Sequence, residues 1–139
     1  MQKIIIDSNV FVSALIQHSY PYHIVTEIFS NNKIELCISD KVFEEYYDVL
    51  NREKFAKYPD FIAKAQALLA DIEKVSATYK PYVKVALIKD HNDNKFLELA
   101  ETCKAGFLIT GNIHDFTMKE YKGAKIVTPK EYWEKYMLH

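Results

Sequence analysis

The feature that most constrains the fold of this chain is a regular alternation between short β-branched runs and longer segments with helical spacing. Apolar runs at residues 4–6, 34–38, 83–88, 107–110 and 125–127 have the length of buried strands. Most of the segments between them repeat apolar residues three and four positions apart, as one face of an amphipathic helix does. Strands that alternate with helices over one domain length form a parallel sheet with helices on both faces. We therefore predict an α/β fold with a central parallel sheet.

The ends of the predicted helices are marked by residues that favour helix starts and stops. We expect helices over residues 9–16 and 60–75, the second with Ile62 on its buried face. Pro21 lies near the start of one further helix and Pro129 at the start of the last. Ser39 or Asp40 is expected to cap the helix that follows the second strand. Asp93 and Gly106 are expected at the start and the end of another helix.

Length and charge limit the classes of function. The chain of 139 residues has the size of one domain, so residues 1–139 are predicted to form a single domain. Its net charge is −1, so any nucleic-acid role must rest on a local patch or on metal ions. Cys37 and Cys103 lie in apolar runs and are expected to be buried free thiols. No apolar stretch approaches the ~20 residues of a membrane span, which predicts a soluble, cytoplasmic protein.

Acidic and amide side chains follow three of the predicted strands. Asp7 comes directly after the first strand, and Asp90 and Asp93 follow the strand at residues 83–88. Asn112 and Asp115 follow the next strand. Sites in parallel sheets form beyond the carboxyl ends of the strands, so these side chains are expected to meet at one edge. Helix capping and turn formation explain any one of them equally well.

Two neighbouring glutamates on the third predicted helix are separated by helical phase. Glu45 lies beside the apolar stripe, whereas Glu44 points away from it. Glu45 is therefore the one placed to reach a site at the sheet edge.

Converging carboxylates are stable together only with a cation or with shared protons. Oxygen ligands without His or Cys suit Mg²⁺ or Mn²⁺, which bind substrate phosphates and can activate a water for attack on a phosphodiester. The residues by themselves thus indicate a Mg²⁺ or Mn²⁺ site for phosphoryl chemistry.

Four segments, in order, resemble the motifs of the PIN-domain family. They are residues 4–15 with Asp-Ser-Asn after an apolar strand, residues 44–50, residues 90–100 and residues 108–116. The resemblance covers nearly the whole chain and is closest to toxins of the VapC type, which antitoxins neutralise. It implies a three-layer α/β/α sandwich and a Mg²⁺- or Mn²⁺-dependent endoribonuclease.

The resemblance also assigns candidate site residues. Those expected to be catalytic and to hold the metal are Asp7, Glu45, Asp93 and Asp115. Those expected to support them are Ser8, Asn9, Thr110 and Asn112. Many relatives carry Asp where this chain has Asn112, which leaves the fourth metal ligand open and brings Asp115 forward for that role.

The partners implied are an RNA substrate, an antitoxin protein and a second copy of the chain in a homodimer. The 10 tyrosines, Tyr46 and Tyr47 among them, are candidates for stacking bases or for forming such a surface, although core and rim packing is their default role. Lys95 and other lysines are candidates for phosphate contacts, and His91 and His114 are expected to be ordinary loop histidines.

Two other functions compete with a ribonuclease. A catalytically weak PIN-like module that binds RNA or protein is favoured by Asn112 and opposed by the presence of Asp7, Glu45 and Asp93. A haloacid-dehalogenase-like phosphatase also carries an Asp after its first strand. That chemistry uses a second Asp two residues later, where this chain has Asn9.

Overall fold

A six-stranded sheet forms the centre of the computed structural model, which describes residues 1–88 and 93–139. The strands are β1 (Gln2–Ile6), β2 (Ile34–Ile38), β3 (Ala77–Thr78), β4 (Phe107–Ile109), β5 (Glu120–Tyr121) and β6 (Ala124–Val127). Their order is β3-β2-β1-β4-β6-β5, and every neighbouring pair is parallel except β5 with β6. The predicted parallel sheet is confirmed. The expectations for Asp90 and His91 lie outside the described residues.

Helices cover both faces of this sheet. They are α1 (Ser8–Ile16), α2 (Tyr20–Ile28), α3 (Asp40–Leu50), α4 (Phe61–Val75), α5 (Asn94–Cys103) and α6 (Pro129–Glu131), with a π-helical turn at Tyr132–Tyr136 and 3₁₀ turns at Glu53–Phe55 and Ile113–Asp115. Successive side chains of a strand point to opposite faces, and Ile4, Ile5 and Ile6 of β1 are all 0% exposed. Both faces are therefore covered, and the fold is a three-layer α/β/α sandwich. In the part of the chain that the structure describes, no helix has the length and apolarity to cross a membrane.

The predicted cap of α3 and the predicted burial of the two cysteines are confirmed. Ser39 caps α3, since its side chain accepts a hydrogen bond from the Val42 N–H at 3.2 Å. The ring of Tyr46 on α3 packs edge-on against Phe11 of α1, with 4.9 Å between centroids. Cys37 and Cys103 are buried free thiols, as expected.

The predicted strand at residues 83–88 is wrong. Residues 81–87 have no regular structure, and the place beside β2 is taken by the shorter β3. The backbone of this segment is satisfied by side chains of α5 rather than by a neighbouring strand. The Val85 N–H donates to Glu98 at 3.1 Å, and the Ile88 N–H donates to Asn94 at 2.9 Å.

Three local predictions need correction. Ile62 is 60% exposed because it lies at the border of the apolar stripe, in the first turn of α4. Gly106 does not close α5: the left-handed residue is Lys104 (φ 57°), and the Gly106 N–H instead donates to the Lys3 carbonyl as the chain enters β4. Asp93 precedes α5 with a helical backbone conformation, and its side chain makes no capping hydrogen bond.

The strand order places a topological switch point beside β1. From β1 the chain builds outward through β2 to β3, and it then returns to place β4 on the other side of β1. Ligands of open parallel sheets bind in the crevice at such a point, beyond the carboxyl ends of the strands. The end of β1 and the end of β4 are therefore where a site is expected.

Candidate active site

Asp7 lies at the switch point, immediately after β1. Its backbone N–H donates to the Ile109 carbonyl at 2.9 Å, so the pairing of β1 with β4 sets the position of this residue. The residue is only 5% exposed. An ionisable carboxyl this deeply buried needs polar partners.

Thr110, the residue after β4, provides one of these partners. Its hydroxyl donates to Asp7 Oδ2 at 2.8 Å and accepts from the Asn112 N–H at 2.9 Å. The Thr110 N–H donates to the Val127 carbonyl of β6, and the residue is 0% exposed. Since its hydroxyl is held by Asn112, Thr110 presents a fixed donor to Asp7.

Glu45 approaches the same edge from α3. The Ser8 hydroxyl donates a short hydrogen bond to Glu45 Oε2, and Lys95 Nζ of α5 lies 3.0 Å from Glu45 Oε1. Glu45 is half-buried whereas Glu44 is exposed, as the helical phase predicts. Ser8 and Lys95 therefore hold Glu45 between the start of α1 and the first turn of α5.

Tyr46 takes the core-packing role that was its default expectation. It is 0% exposed, so it is unavailable for stacking bases. Its hydroxyl donates a short hydrogen bond to the Ile6 carbonyl, which anchors α3 to the last residue of β1. Burial raises the pKa of Tyr46 well above its usual value, and the negative charges of Asp7 and Glu45 add to this.

The pKa of Asp7 reflects the burial and the charges of the site. Burial is the main cause that raises the pKa of Asp7 from 3.8 to about 6. The hydrogen bond from Thr110 lowers this pKa, and the charge of Glu45 raises it further. Smaller contributions come from the Ser8 N–H, which lowers it, and from the charge of Asp115, which raises it. Three carboxylates thus share one electrostatic environment.

The remaining candidates differ in their exposure to solvent. Asn112 is half-buried, and Asp115 is exposed in the 3₁₀ turn that follows it. Asn9 is exposed on the first turn of α1. Asp93 is half-buried and comes from the start of α5 rather than from the end of a strand. Among the described residues, two strands rather than three therefore deliver side chains to this edge, and α3 contributes Glu45.

These acids do not form a ready-made ligand cluster. Within residues 1–88 and 93–139, no three His, Cys, Asp or Glu side chains are grouped closely enough to hold one ion. Mg²⁺ needs only one or two carboxylates, because it retains waters and binds substrate phosphates. Burial is the main cause of the raised pKa of Asp7, and the charges of Glu45 and Asp115 add to it, so a cation beside these carboxylates would be favourable. The donor chemistry therefore fits Mg²⁺ or Mn²⁺.

A cleft of about 560 Å³ opens between α3 and α5, beside Glu45. The charged residues that line it, within the described part of the chain, are four acids and three bases: Glu44, Glu45, Asp48, Glu98, Lys41, Arg52 and Lys95. Lys95 is the residue whose place here the sequence could not indicate, because its contact with Glu45 joins two helices far apart in the chain.

Comparisons with known proteins agree with this architecture. The uncharacterized protein MJ1680 of Methanocaldococcus jannaschii is 29% identical over 143 residues, which cover 96% of this chain and 91% of that protein. VapBC2 from Rickettsia felis, in a crystal structure with a DNA fragment from its promoter, matches with a TM-score of 0.58. That match covers 91% of this chain and 98% of the other at 20% identity, which is a likeness of fold. A family model described as the PIN domain matches residues 3–114. With that match over most of its length, the chain belongs to the PIN-domain family.

Proposed function

We propose that this protein is a Mg²⁺- or Mn²⁺-dependent endoribonuclease that hydrolyses RNA phosphodiester bonds. Proteins with PIN domains are generally nucleases that use divalent metals, and the site supports the same chemistry here. The observation that carries the proposal is the environment of Asp7. A carboxyl held by Thr110 at the switch point has its pKa raised to about 6 by burial and by Glu45 and Asp115.

The residues of the chain take distinct roles in this proposal. Asp7 and Glu45 would hold the ion, with Asp93 and Asp115 as further acidic ligands. A bound Mg²⁺ or Mn²⁺ ion would supply charge stabilisation for the phosphoryl oxygens and would lower the pKa of an attacking water. Thr110 keeps the Asp7 carboxylate in one orientation through its 2.8 Å hydrogen bond.

Two neighbouring side chains keep Glu45 in place. Ser8 donates to one oxygen of Glu45, and Lys95 balances the charge at the other. Asn9 and Asn112 stand at the mouth of the site, where amides can orient water or phosphate.

A toxin of a toxin–antitoxin pair is the biological role we propose for this ribonuclease. The motif resemblance to VapC-type toxins and the fold shared with VapBC2 from Rickettsia felis support this role. An antitoxin protein is the partner that such a role requires. We further propose one domain over residues 1–139, a homodimer, and action on RNA in the cytoplasm.

A second candidate is a catalytically weak module that binds RNA or protein. It is favoured by the engagement of both Glu45 oxygens, one by Ser8 and the other by Lys95. In that case Lys95 permanently replaces the metal ion. The two candidates differ in whether added metal displaces this ion pair.

Cleavage of labelled single-stranded RNA tests the proposal. We expect cleavage with Mn²⁺ or Mg²⁺ and none in EDTA. Asp7→Asn and Asp93→Asn should each lower the rate by on the order of 10²-fold or more, as loss of one electrostatic stabiliser does. A matched single-stranded DNA separates ribonuclease from general nuclease activity. Full activity in EDTA, or undiminished activity in Asp7→Asn, would overturn the proposed function.

A further inference from the structure

A second cleft, of about 330 Å³, adjoins the one beside Glu45 and has the opposite balance of charge. Four lysines line it: Lys41, Lys80, Lys84 and Lys95. Among the described residues, two carboxylates line it, Asp40 and Glu98. The whole chain carries a net charge of −1, so this cleft is more basic than the average surface of the protein. Its charge is suited to phosphate groups.

One wall of the basic cleft carries an exposed aromatic ring. Tyr82 is 75% exposed, although the backbone around it is held in place. The Tyr79 N–H donates to the Ile38 carbonyl at 2.8 Å, and the Val85 N–H donates to Glu98 at 3.1 Å. The ring is therefore presented to solvent from a wall attached at both ends, beside the lysines.

Lys95 connects the basic cleft to the active site. Its side chain lines both clefts, and its ammonium lies 3.0 Å from Glu45. A backbone lying along the basic cleft would thus come within the length of the lysine side chain of the Glu45 carboxylate. The cleft beside Glu45, between α3 and α5, has more acids than bases and is suited to a cation. The basic cleft is suited to the phosphates on one side of the cleaved bond.

We propose that the basic cleft is the track for the single-stranded part of the RNA substrate, with one unpaired base stacked on Tyr82. This inference rests on the proposed nuclease function and adds the path that the strand takes. Lys80, Lys84 and Lys41 contact phosphates of the strand. Stacking on an aromatic face requires a base that is free of its duplex partner, which favours a single strand.

The test measures affinity without cleavage. Fluorescence anisotropy follows a labelled, mixed-sequence single-stranded RNA in EDTA at several salt concentrations, with the same RNA as a duplex for comparison. The double variant Lys80→Glu/Lys84→Glu should bind the single strand roughly tenfold or more weakly. Loss of two phosphate contacts should also reduce the slope of log K against log salt by about 1.4.

A matched control and an aromatic pair complete the design. Lys64→Glu/Lys130→Glu makes the same charge change at exposed lysines outside the cleft and should bind nearly as the parent does. Tyr82→Ala should weaken single-strand binding by about tenfold with much less effect on the duplex, and Tyr82→Phe should retain it.

Unchanged affinity for single-stranded RNA in Lys80→Glu/Lys84→Glu or in Tyr82→Ala would overturn the proposal that the strand lies in the basic cleft. An equal loss in the Lys64→Glu/Lys130→Glu control overturns it as well. Unchanged affinity in both cleft variants is the result expected if the surface binds a protein instead. Because binding is measured without metal, failure of the nuclease function itself would appear only in the cleavage assay.

Discussion

The hydroxyl of Thr110 lies 2.8 Å from Asp7 Oδ2, and this hydrogen bond joins the end of β4 to the end of β1. It is the buried contact that sets the position of the most deeply placed acid of the site. Burial and neighbouring charge raise the pKa of this acid, and the hydrogen bond opposes them. The balance between these effects has consequences for stability, for pH dependence and for metal binding.

Asp7→Asn should stabilise the metal-free protein at neutral pH. The pKa of Asp7 is about 6 in the fold against 3.8 for an ordinary Asp. Between these pH values the folded protein binds more protons than the unfolded chain. The free energy of unfolding therefore falls as pH rises toward 6 and stays constant at higher pH, as far as Asp7 is concerned. The shift corresponds to about 3 kcal/mol at most, so we expect a gain of about 1–3 kcal/mol in the variant.

Urea unfolding in EDTA checks this gain. The two proteins should differ at about pH 7.5 and should converge below about pH 3, where the carboxyl is neutral in both states. A difference that is absent at neutral pH, or that persists unchanged in acid, contradicts the charge assigned to Asp7.

Thr110→Val should raise the pKa of Asp7 further and destabilise the fold. The change removes the donor to Asp7 and the acceptor of the Asn112 N–H, and a buried unsatisfied group costs about 1–3 kcal/mol. The cleavage rate should therefore reach its half-maximum at higher pH. Thr110→Ser keeps the hydroxyl and should restore the parent profile. A Thr110→Val profile with an unshifted midpoint would show that this hydroxyl does not govern Asp7.

Glu45→Gln and Glu44→Gln form a matched pair that tests the geometry of α3. Glu45 is half-buried and bonded to Ser8, whereas its neighbour Glu44 is exposed. We expect Glu45→Gln to lower metal-dependent cleavage by on the order of 10²-fold and Glu44→Gln to change it little. Equal losses in single-turnover assays would place the metal ligand elsewhere on the helix.

Lys95→Met should strengthen the binding of Mn²⁺. The ammonium of Lys95 lies 3.0 Å from Glu45 Oε1, so its charge opposes the binding of a second cation there. The side chain of Lys95 is 19% exposed and that of Glu45 is 17% exposed, so solvent screens this repulsion only weakly. Its removal should tighten Mn²⁺ binding by roughly threefold or more in calorimetric titrations. Lys64→Met removes an exposed lysine that lines neither cleft and should leave the affinity unchanged. Weaker binding in Lys95→Met would make Lys95 a support of the site rather than a competitor of the metal.

The elements predicted from sequence are those with a strong local signal. β2 ends where its apolar run ends, and α3 begins at the cap that its sequence predicts, because burial and capping act over a few residues. Asp7 and Thr110 could be placed at one edge because parallel strands bring their carboxyl ends together.

What the sequence could not show depends on contacts between distant elements. Residues 83–88 look like a strand, yet Glu98 and Asn94 of α5 satisfy the backbone there instead. The pairing of Lys95 with Glu45 also depends on how two helices pack. The hairpin of β5 and β6 was missed, although it carries a local signal in the glycine of its turn. Lys122 and Gly123 form this two-residue turn and both have positive φ, which glycine adopts readily.

The central claim is that Asp7 belongs to a metal site, and thermal melts of the parent and of Asp7→Asn, with and without Mn²⁺, test it most directly. Without metal, Asp7→Asn should melt higher than the parent at about pH 7.5, because it lacks a buried charge beside two other acids. Mn²⁺ at ~100 times its dissociation constant adds about 2.7 kcal/mol, which should raise the melting temperature of the parent by roughly 5–15 °C. Asp7→Asn should gain much less, so that Mn²⁺ removes most or all of its advantage over the parent. A Mn²⁺ shift that is absent from both proteins, or equal in both, would contradict the metal site at Asp7.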